Sequence, residues 1–345
     1  LGAVYADDYY LTPDNWYDEL FMNNNMRQEY NVRVSGATPQ SSYFMSAGYL
    51  DDTGIIPQSG FKRFTTRMNA DYQINKKVKV GTSFNYTNSN SLSPRDQSGS
   101  SSGNLFYISN MIAPIYPLYV RDAAGNIMTD SHGFTMYDFG AGEYPGLGRP
   151  FMGNSNPASM IALDKYQTIS DAINGRGFLN WDIVDGLKAS VNFGVDLTNQ
   201  RTTNLYNAYY GQYSSVGGII YVTSVRQMSV NQQYLLSYTK DFGNHSIDAL
   251  AGYESYQRTY SYLSGSKENL YNPNITEIDN AISQPSTSSY TGVYTSTGYL
   301  ARLQYDYADK YFFSASFRRD SSSRFHPDNR WGNFWSVGAG WLLNK

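Results

Sequence analysis

The sequence of 345 residues contains no cysteine and only three histidines. The lack of cysteine excludes disulfides, thiolate zinc sites and a cysteine nucleophile. The histidines, His132, His245 and His326, are too far apart in the chain to predict a His-rich metal site. No run of 18 or more apolar residues occurs, which excludes a transmembrane helix.

Charge is also scarce, since only 16% of the residues are Asp, Glu, Lys or Arg, against roughly 25% in an ordinary soluble domain. The net charge of -3 argues against nucleic acid as a partner. The chain is nevertheless polar, with a mean hydropathy of -0.50 and 33 tyrosines. Many uncharged polar residues and many aromatics suit a sheet with one apolar and one wet face, in either a secreted β-protein or an outer-membrane barrel.

Alternation of apolar and polar residues with period two is the strongest pattern in the chain. It predicts about eleven antiparallel strands, because successive side chains of a strand point to opposite faces. The predicted strands cover 29–35, 42–50, 62–74, 78–86, 173–183, 187–197, 226–238, 246–255, 298–307, 311–318 and 334–342. Many run ten or more residues, close to the nine to eleven that a tilted transmembrane strand needs.

The connections between these strands alternate in length. The short ones are 36–41, 75–77, 184–186, 240–244 and 308–310, and the long ones are 51–60, 88–170, 199–224, 257–295 and 319–333. Outer-membrane barrels have short periplasmic turns and long extracellular loops. The pattern therefore predicts an all-β fold, an antiparallel transmembrane β-barrel with long extracellular loops.

Within this topology, 1–28 is predicted to be an extracellular segment with a short helix, and 29–345 the first part of the barrel. The long extracellular loop 88–170 is expected to hold a helix near 104–111 and a hairpin around 119–128. An odd strand count with free edges predicts a fragment, because bacterial single-chain barrels have even strand counts.

Motifs that carry catalytic chemistry are weak. The run GSSSG at 99–103 fits G-x-S-x-G nominally but is low-complexity loop rather than a strand–turn–helix elbow, so no enzyme is predicted. Asp122, Asp130 and Asp138 have the oxygen ligands that Ca²⁺ prefers, without EF-hand spacing. Solvated turn residues are the alternative interpretation, and no other cofactor is predicted.

Two sets of residues are candidates for function. Charged side chains on the wet phase of the strands predict a lumen surface that faces either a folded plug or water: Arg63, Arg67, Asp71, Arg176, Asp182, Lys188, Asp196 and Arg302. Aromatic side chains in the long loops are candidates for stacking on sugar rings or packing on peptides: Tyr107, Tyr116, Tyr119, Tyr137, Tyr144, Tyr209 and Tyr210. Packing between loops is the open alternative for these tyrosines.

Several segments resemble SusC/RagA-type TonB-dependent transporters. They include DNWYDELF at 14–21, QEYNVRVSG at 28–36, YFMSAGYL at 43–50, GII at 54–56, FKRFTTRMN at 61–69 and NPA at 156–158. The most specific are FRRDSSSRF at 317–325, NRWG at 329–332 and SVGAGW at 336–341, which are similar to the family's hallmark barrel segment.

The resemblance implies a 22-stranded, plugged outer-membrane barrel of Bacteroidetes, of which this chain supplies about half the strands without the plug domain or the C-terminal strands. It also implies a SusD-like surface lipoprotein and the TonB complex as partners, with membrane lipid and lipopolysaccharide around the barrel. The predicted function is import of oligosaccharides or oligopeptides. A passive porin or adhesin, an outer-membrane enzyme and a secreted glycan-binding β-protein are the alternatives.

Overall fold

The structure is a computed structural model. It describes residues 4–6, 9–11, 14–94, 104–113, 115–122, 124–131, 133–140, 148–150, 156–211, 213–272 and 275–343. One antiparallel sheet of 11 strands contains most of them, and each strand pairs with its neighbours in sequence. Among the described residues, no helix is long and apolar enough to cross a membrane.

The elements follow one another in a simple order. Two short strands, β1 (Val4–Ala6) and β2 (Tyr9–Leu11), pair with each other outside the main sheet. The main sheet consists of β3 (Arg27–Ala37), β4 (Ser41–Thr53), β5 (Gly60–Asn75), β6 (Val78–Leu92), β7 (Lys165–Val184), β8 (Leu187–Tyr206), β9 (Ile219–Phe242), β10 (His245–Leu270), β11 (Ala281–Tyr307), β12 (Tyr311–Ser322) and β13 (Trp331–Trp341). The helices are α1 (Trp16–Leu20), α2 (Leu105–Met111) and α3 (Pro157–Leu163), with 3-10 turns at Ser214–Val216, Ile278–Asn280 and Pro327–Asn329.

The predicted strand order and the alternation of short and long connections are confirmed. The short connections contain two or three residues and lie at one edge of the sheet, here called the short-turn end. One of them requires glycine: Gly186 has φ +81°, and a Cβ there would lie 2.5 Å from the carbonyl oxygen of Thr239. The opposite edge, with connections 54–59, 93–164, 207–218, 271–280 and 323–330, is called the long-loop end.

The prediction of a long loop at 257–295 was wrong, because most of these residues continue β10 and β11. These strands have 26 and 27 residues, far more than the roughly ten that cross a bilayer. The halves of β10 and β11 next to the long-loop end carry Ser, Thr and Tyr on both faces. The apolar phase that marks a strand in sequence is therefore missing. The backbone ladder still forms, because it depends on hydrogen bonds with the neighbouring strand and does not require an apolar face.

The register separates an apolar face from a polar face. Residues directly opposite each other in an antiparallel pair share a face, and Leu179, Val191 and Tyr234 are joined in one such row. The apolar face exposes large side chains, among them Phe193, Leu236, Phe317, Trp335 and Val337. Near the short-turn end it has a row of aromatics, in which Tyr307 stacks on Tyr311 and Tyr311 on Trp341 at 6.3 and 6.1 Å. An exposed apolar band edged by aromatics is typical of a surface in contact with lipid.

The best-packed core of the described residues lies in the connections at the long-loop end rather than in the sheet. Trp16, Leu20, Ile108, Leu118 and Ala158 belong to one buried cluster. It joins α1, α2, α3 and the hairpin of residues 118–138, and this assembly is called the loop cap. The predicted helix near 104–111 and the hairpin around 119–128 are both observed.

Candidate functional site

A groove of about 1260 Å³ runs along the polar face of the sheet. Its walls include Asn69 on β5 and Phe334 on β13, so strands at distant positions in the sheet border the same space. The sheet therefore curves around its polar face. This face is called the inner face, and the apolar one the outer face.

A chain of hydrogen bonds crosses the floor of the groove. The Asn192 amide donates to Gln233 at 2.8 Å, and the Gln233 amide donates to one Glu254 oxygen at 2.7 Å. The guanidinium of Arg318 donates to the other Glu254 oxygen at 2.7 Å and to both oxygens of Asp320 at 2.8 Å. The five side chains span β8, β9, β10 and β12. The Gln233 amide has a fixed orientation, because its oxygen accepts from Asn192 and its nitrogen donates to Glu254.

Gly298 makes room for this network on β11. A Cβ at this position would lie 2.5 Å from an Asp320 oxygen and 3.0 Å from an Arg318 nitrogen. A Cβ at this position would therefore force the Asp320 carboxylate and the Arg318 guanidinium to shift. The absence of a side chain therefore lets the Arg318 guanidinium reach across β11 to Glu254.

The register places all eight predicted lumen residues on the inner face. Asp196 accepts from the Asn174 amide at 2.7 Å, and Arg302 donates to Asp248 at 2.8 Å. Arg63 lies 3.9 Å from Glu29, and Asp71 lies 3.5 Å from Lys79. Arg176 lines the groove. Asp182 is paired opposite Lys188, and Arg67 is paired opposite Asn85. Contact of these residues with a plug stays a prediction.

The loop cap is organised by a buried carboxylate. One Asp14 oxygen accepts from the Arg121 guanidinium at 2.7 Å, and the other accepts from the Leu118 amide at 2.7 Å. The Asp14 side chain is 5% exposed and that of Arg121 16% exposed. The ion pair thus ties the segment before α1 to the hairpin through a bond that water hardly reaches.

Asn156 makes a second connection in the loop cap. Its side-chain oxygen caps α3 by accepting from the amides of Ala158 and Ser159 at 3.1 and 3.3 Å. Its side-chain nitrogen donates to the carbonyl oxygens of Leu118 and Asp138 at 2.8 and 2.9 Å. The residue is fully buried, and the bonds to Leu118, Ala158 and Ser159 are buried with it.

We expect Asn156→Ala to loosen α3 from the hairpin. The lost cap costs about 0.5–2 kcal/mol, and the carbonyls left without a donor add about 1–3 kcal/mol. Faster hydrogen exchange in α3, measured by mass spectrometry, is the expected result. Asn126→Ala, which removes an exposed amide bonded to Asp122, is the control and should leave exchange in α3 unchanged.

Most of the predicted loop tyrosines belong to the packing of the loop cap. Tyr137 is buried, and Tyr116, Tyr119 and Tyr210 pack against the same cluster. The Tyr119 hydroxyl donates to Glu19 at 2.8 Å and that of Tyr210 to Asp130 at 2.6 Å. Burial, together with the bond to Glu19, raises the pKa of Tyr119 well above its usual value, and burial raises that of Tyr137.

The remaining loop tyrosines are placed differently. Tyr209 lies against Phe134 with ring centroids 4.7 Å apart, and Tyr107 is half-buried on α2. Tyr144 and the GSSSG run lie outside the described residues. Ligand binding by the seven tyrosines stays a prediction. Five of them fit the alternative of packing between loops, because Tyr209 of the 207–218 connection lies against Phe134 of the hairpin.

The three carboxylates considered for calcium lie in separate turns. Asp122 accepts from the amides of Ala124 and Asn126, which hold the hairpin turn, and Asn126 lowers its pKa. Asp130 accepts from the Phe134 amide and Asp138 from that of Gly140. In the part of the chain that the structure describes, no three acidic or imidazole groups cluster as metal ligands do, and calcium binding stays a prediction.

A set of inner-face tyrosines escaped the sequence analysis. On β10 and β11, Tyr256 lies 6.0 Å from Tyr294 and Tyr260 lies 5.8 Å from Tyr290, while Tyr262 stacks on Tyr290 at 5.3 Å. The even spacing of these positions was the available signal. This spacing alone does not mark a strand, because Ser, Thr and Tyr occupy both phases of this part of β10 and β11.

The curved sheet, its apolar outer band and its polar groove define a wall of an outer-membrane type of β-barrel. Proteins of known sequence agree with that class. TonB-dependent receptor P3 of Formosa agariphila is 24% identical over 353 aligned positions, covering 99% of this chain and 33% of that protein. TonB-dependent receptor SusC of Bacteroides thetaiotaomicron is 25% identical over 348 positions, covering 96% of this chain and 32% of that protein.

Solved structures show the same fold. The RagAB peptide importer in its open-open state superposes with a TM-score of 0.74 and 22% identity, over 98% of this chain and 36% of that chain. No family model matches the chain. The chain spans about a third of the length of the curated relatives it matches. The resemblance to SusC/RagA-type TonB-dependent receptors is confirmed, and the chain has the strand architecture of their barrels.

Proposed function

We propose that the chain forms part of the barrel wall of an outer-membrane, TonB-dependent importer of oligosaccharides or oligopeptides. The observation that carries this proposal is the pairing of an exposed apolar outer face with a hydrogen-bonded polar groove on the inner face. Such a wall separates lipid from a wet path. The named relatives, which are receptors rather than enzymes, support import rather than catalysis.

In this proposal each surface has a separate task. The outer face contacts lipid and, at the long-loop end, lipopolysaccharide. The loop cap and the long connections face a SusD-like lipoprotein and capture cargo with it, with the loop tyrosines as candidate contacts. The charged residues of the inner face bind a plug that is pulled by the TonB complex, and the chain itself does no chemistry on the cargo.

The neutral hydrogen-bonding groups of the groove suit transient contact with cargo. Amides and hydroxyls bind sugar hydroxyls and peptide groups alike, and each such bond in water contributes only about 1 kcal/mol. The strong charges nearby are already paired, as Arg318 is with Glu254 and Asp320. Cargo would therefore contact a polar surface whose charged groups are already paired, and it would bind weakly.

The test is made on the intact parent protein, extracted from its membrane in mild detergent. Mass spectrometry should identify a co-purifying lipoprotein together with an oligosaccharide or a set of peptides. Uptake of that cargo by cells should stop when TonB is deleted. A barrel that purifies alone, or uptake that continues without TonB, would replace the proposal with a passive porin or adhesin.

A further inference from the structure

At the long-loop end, β10 and β11 extend well beyond the end of the neighbouring strand β12. β12 ends at Ser322, which is paired opposite Ser296 of β11. The preceding part of β11 pairs with β10, and within the described part of the chain no strand pairs with its other side. The sheet therefore has a notch above the short β12–β13 hairpin, and β11 forms one wall of it.

The hydrogen bonds between Thr295 and Ser323, next to the notch, show which backbone groups of β11 point into it. The Thr295 amide donates to the Ser323 hydroxyl at 2.9 Å, and its carbonyl oxygen accepts from the Ser323 amide at 2.9 Å. Because the direction of these groups alternates along a strand, Val293, Thr291 and Ser289 also direct their N–H and C=O away from β10. The open edge at 287–293 is about 24 Å long at a rise of about 3.4 Å per residue.

This edge lacks the features that normally protect a free strand. Natural edges are blocked by charged side chains, proline or bulges, and no Asp, Glu, Lys or Arg stands between 281 and 301. Pro285 lies in the irregularity where the β10–β11 register shifts, at the far end of the edge. From 287 to 293 the edge is therefore open to pairing with another strand.

The inner face beside the edge has a recess between two aromatic rings. Tyr290 and Tyr294 point to the inner face on either side of Gly292, and a Cβ built on Gly292 has no atom within 4 Å. Tyr290 is 56% exposed, and Arg324 lies over the Tyr294 ring at 5.0 Å. The Tyr294 end of this recess lies within the groove described above.

We propose that the free edge of β11 at 287–293 binds an extended oligopeptide cargo by adding it to the sheet as a strand. An open ladder of N–H and C=O groups is complementary to an extended polypeptide and not to a sugar chain. One side chain of the bound peptide sits over Gly292, between Tyr290 and Tyr294. The inference rests on the proposed function and chooses peptide over glycan as its cargo.

The probe is a pool of random nonapeptides, applied to the immobilised intact receptor with its co-purifying partner. The retained peptides are quantified by mass spectrometry. Thr291→Pro removes an edge N–H that β10 does not use, and retention should fall at least tenfold. Thr291→Val keeps the N–H and the shape of the side chain, and should retain peptides within twofold of the wild type.

Two further measurements do not depend on the proline variant. A pool of the same peptides N-methylated at alternate residues should lose retention on the wild-type receptor by about tenfold. Gly292→Ile places a side chain in the recess, where a Cβ has no atom within 4 Å, and it should shift the retained peptides toward glycine, alanine and serine. Assembly of each variant is checked by the electrophoretic mobility of the unheated barrel.

The outcomes separate this inference from the proposed function. Equal retention by the proline and valine variants, together with indifference to N-methylation, would overturn pairing at the edge. An oligosaccharide taken up only when TonB is present, with no peptide retained, would overturn the inference and leave the proposed function standing. Absence of both peptide retention and TonB-dependent uptake would overturn both.

Discussion

Replacing Asp14 with alanine should lower the free energy needed to open the loop cap by about 3–5 kcal/mol. This is the usual cost of removing one partner of a buried ion pair. The Arg121 guanidinium would remain buried with its main anionic partner gone, and the Leu118 amide would lose its acceptor. The readout is hydrogen exchange at Ile108 and Ile112, whose amides lie in or next to α2 and do not touch Asp14. Their protection should fall by two orders of magnitude or more.

Two companion variants test the physical cause. Asp18→Ala removes an exposed carboxylate that binds the Asn15 amide, and the cost should stay within about 0.5 kcal/mol. Arg121→Met combined with Asp14→Ala should be less destabilising than Asp14→Ala alone, because no charge is then left without its partner. Equal protection in the Asp14 and Asp18 variants would show that the ion pair does not hold the loop cap together.

The strands next to the membrane could be predicted because they are subject to two opposite constraints. In β8, Leu187, Val191 and Val195 face outward, while Lys188 and Asn192 face inward. Contact with lipid excludes polar residues from one phase, and contact with water admits them on the other. Such alternation is visible in a single sequence without any neighbour.

The parts of β10 and β11 next to the long-loop end could not be predicted from the same alternation. Around Tyr262 and Tyr290 both faces meet water, so neither phase has to be apolar. What holds these residues in strands is the partner strand, which a local pattern does not contain. The length of β10 and β11, the notch beside β12 and the inner-face tyrosines were all missed for this one reason.

The loop cap was predictable in its parts but not in its assembly. The predicted helix near 104–111 begins after Asn104, a favourable N-cap residue, and the sequence around Asp122 indicates a turn. The helix after Asn156 was not predicted. The contact between Asp14 and Arg121 joins segments more than 100 residues apart, and nothing local predicts it. Whether a loop tyrosine packs inward or meets a ligand depends on such long-range contacts.

Val191→Arg should prevent the barrel from assembling. Val191 lies within the apolar stretch of β8, opposite Leu179 and Tyr234 on the outer face. An arginine facing lipid near the bilayer midplane costs about 2–4 kcal/mol, and during assembly the strand would have to carry that charge into the membrane. The expected result in the intact parent protein is loss of the heat-modifiable barrel band from the outer-membrane fraction.

Ser190→Arg places the same charge one residue earlier on the inner face. It removes only the bond from the Ser190 hydroxyl to Asn180, which is worth about 1 kcal/mol, so assembly should continue. The neighbouring strand offers a repeat of the test, with Leu236→Arg expected to fail and Ser237→Arg expected to assemble, because Leu236 is opposite Ala189 and Ser237 opposite Lys188. If the members of each pair behave alike, the assignment of the outer face to lipid is wrong, and the groove on the other face loses its role as the wet side of a membrane wall.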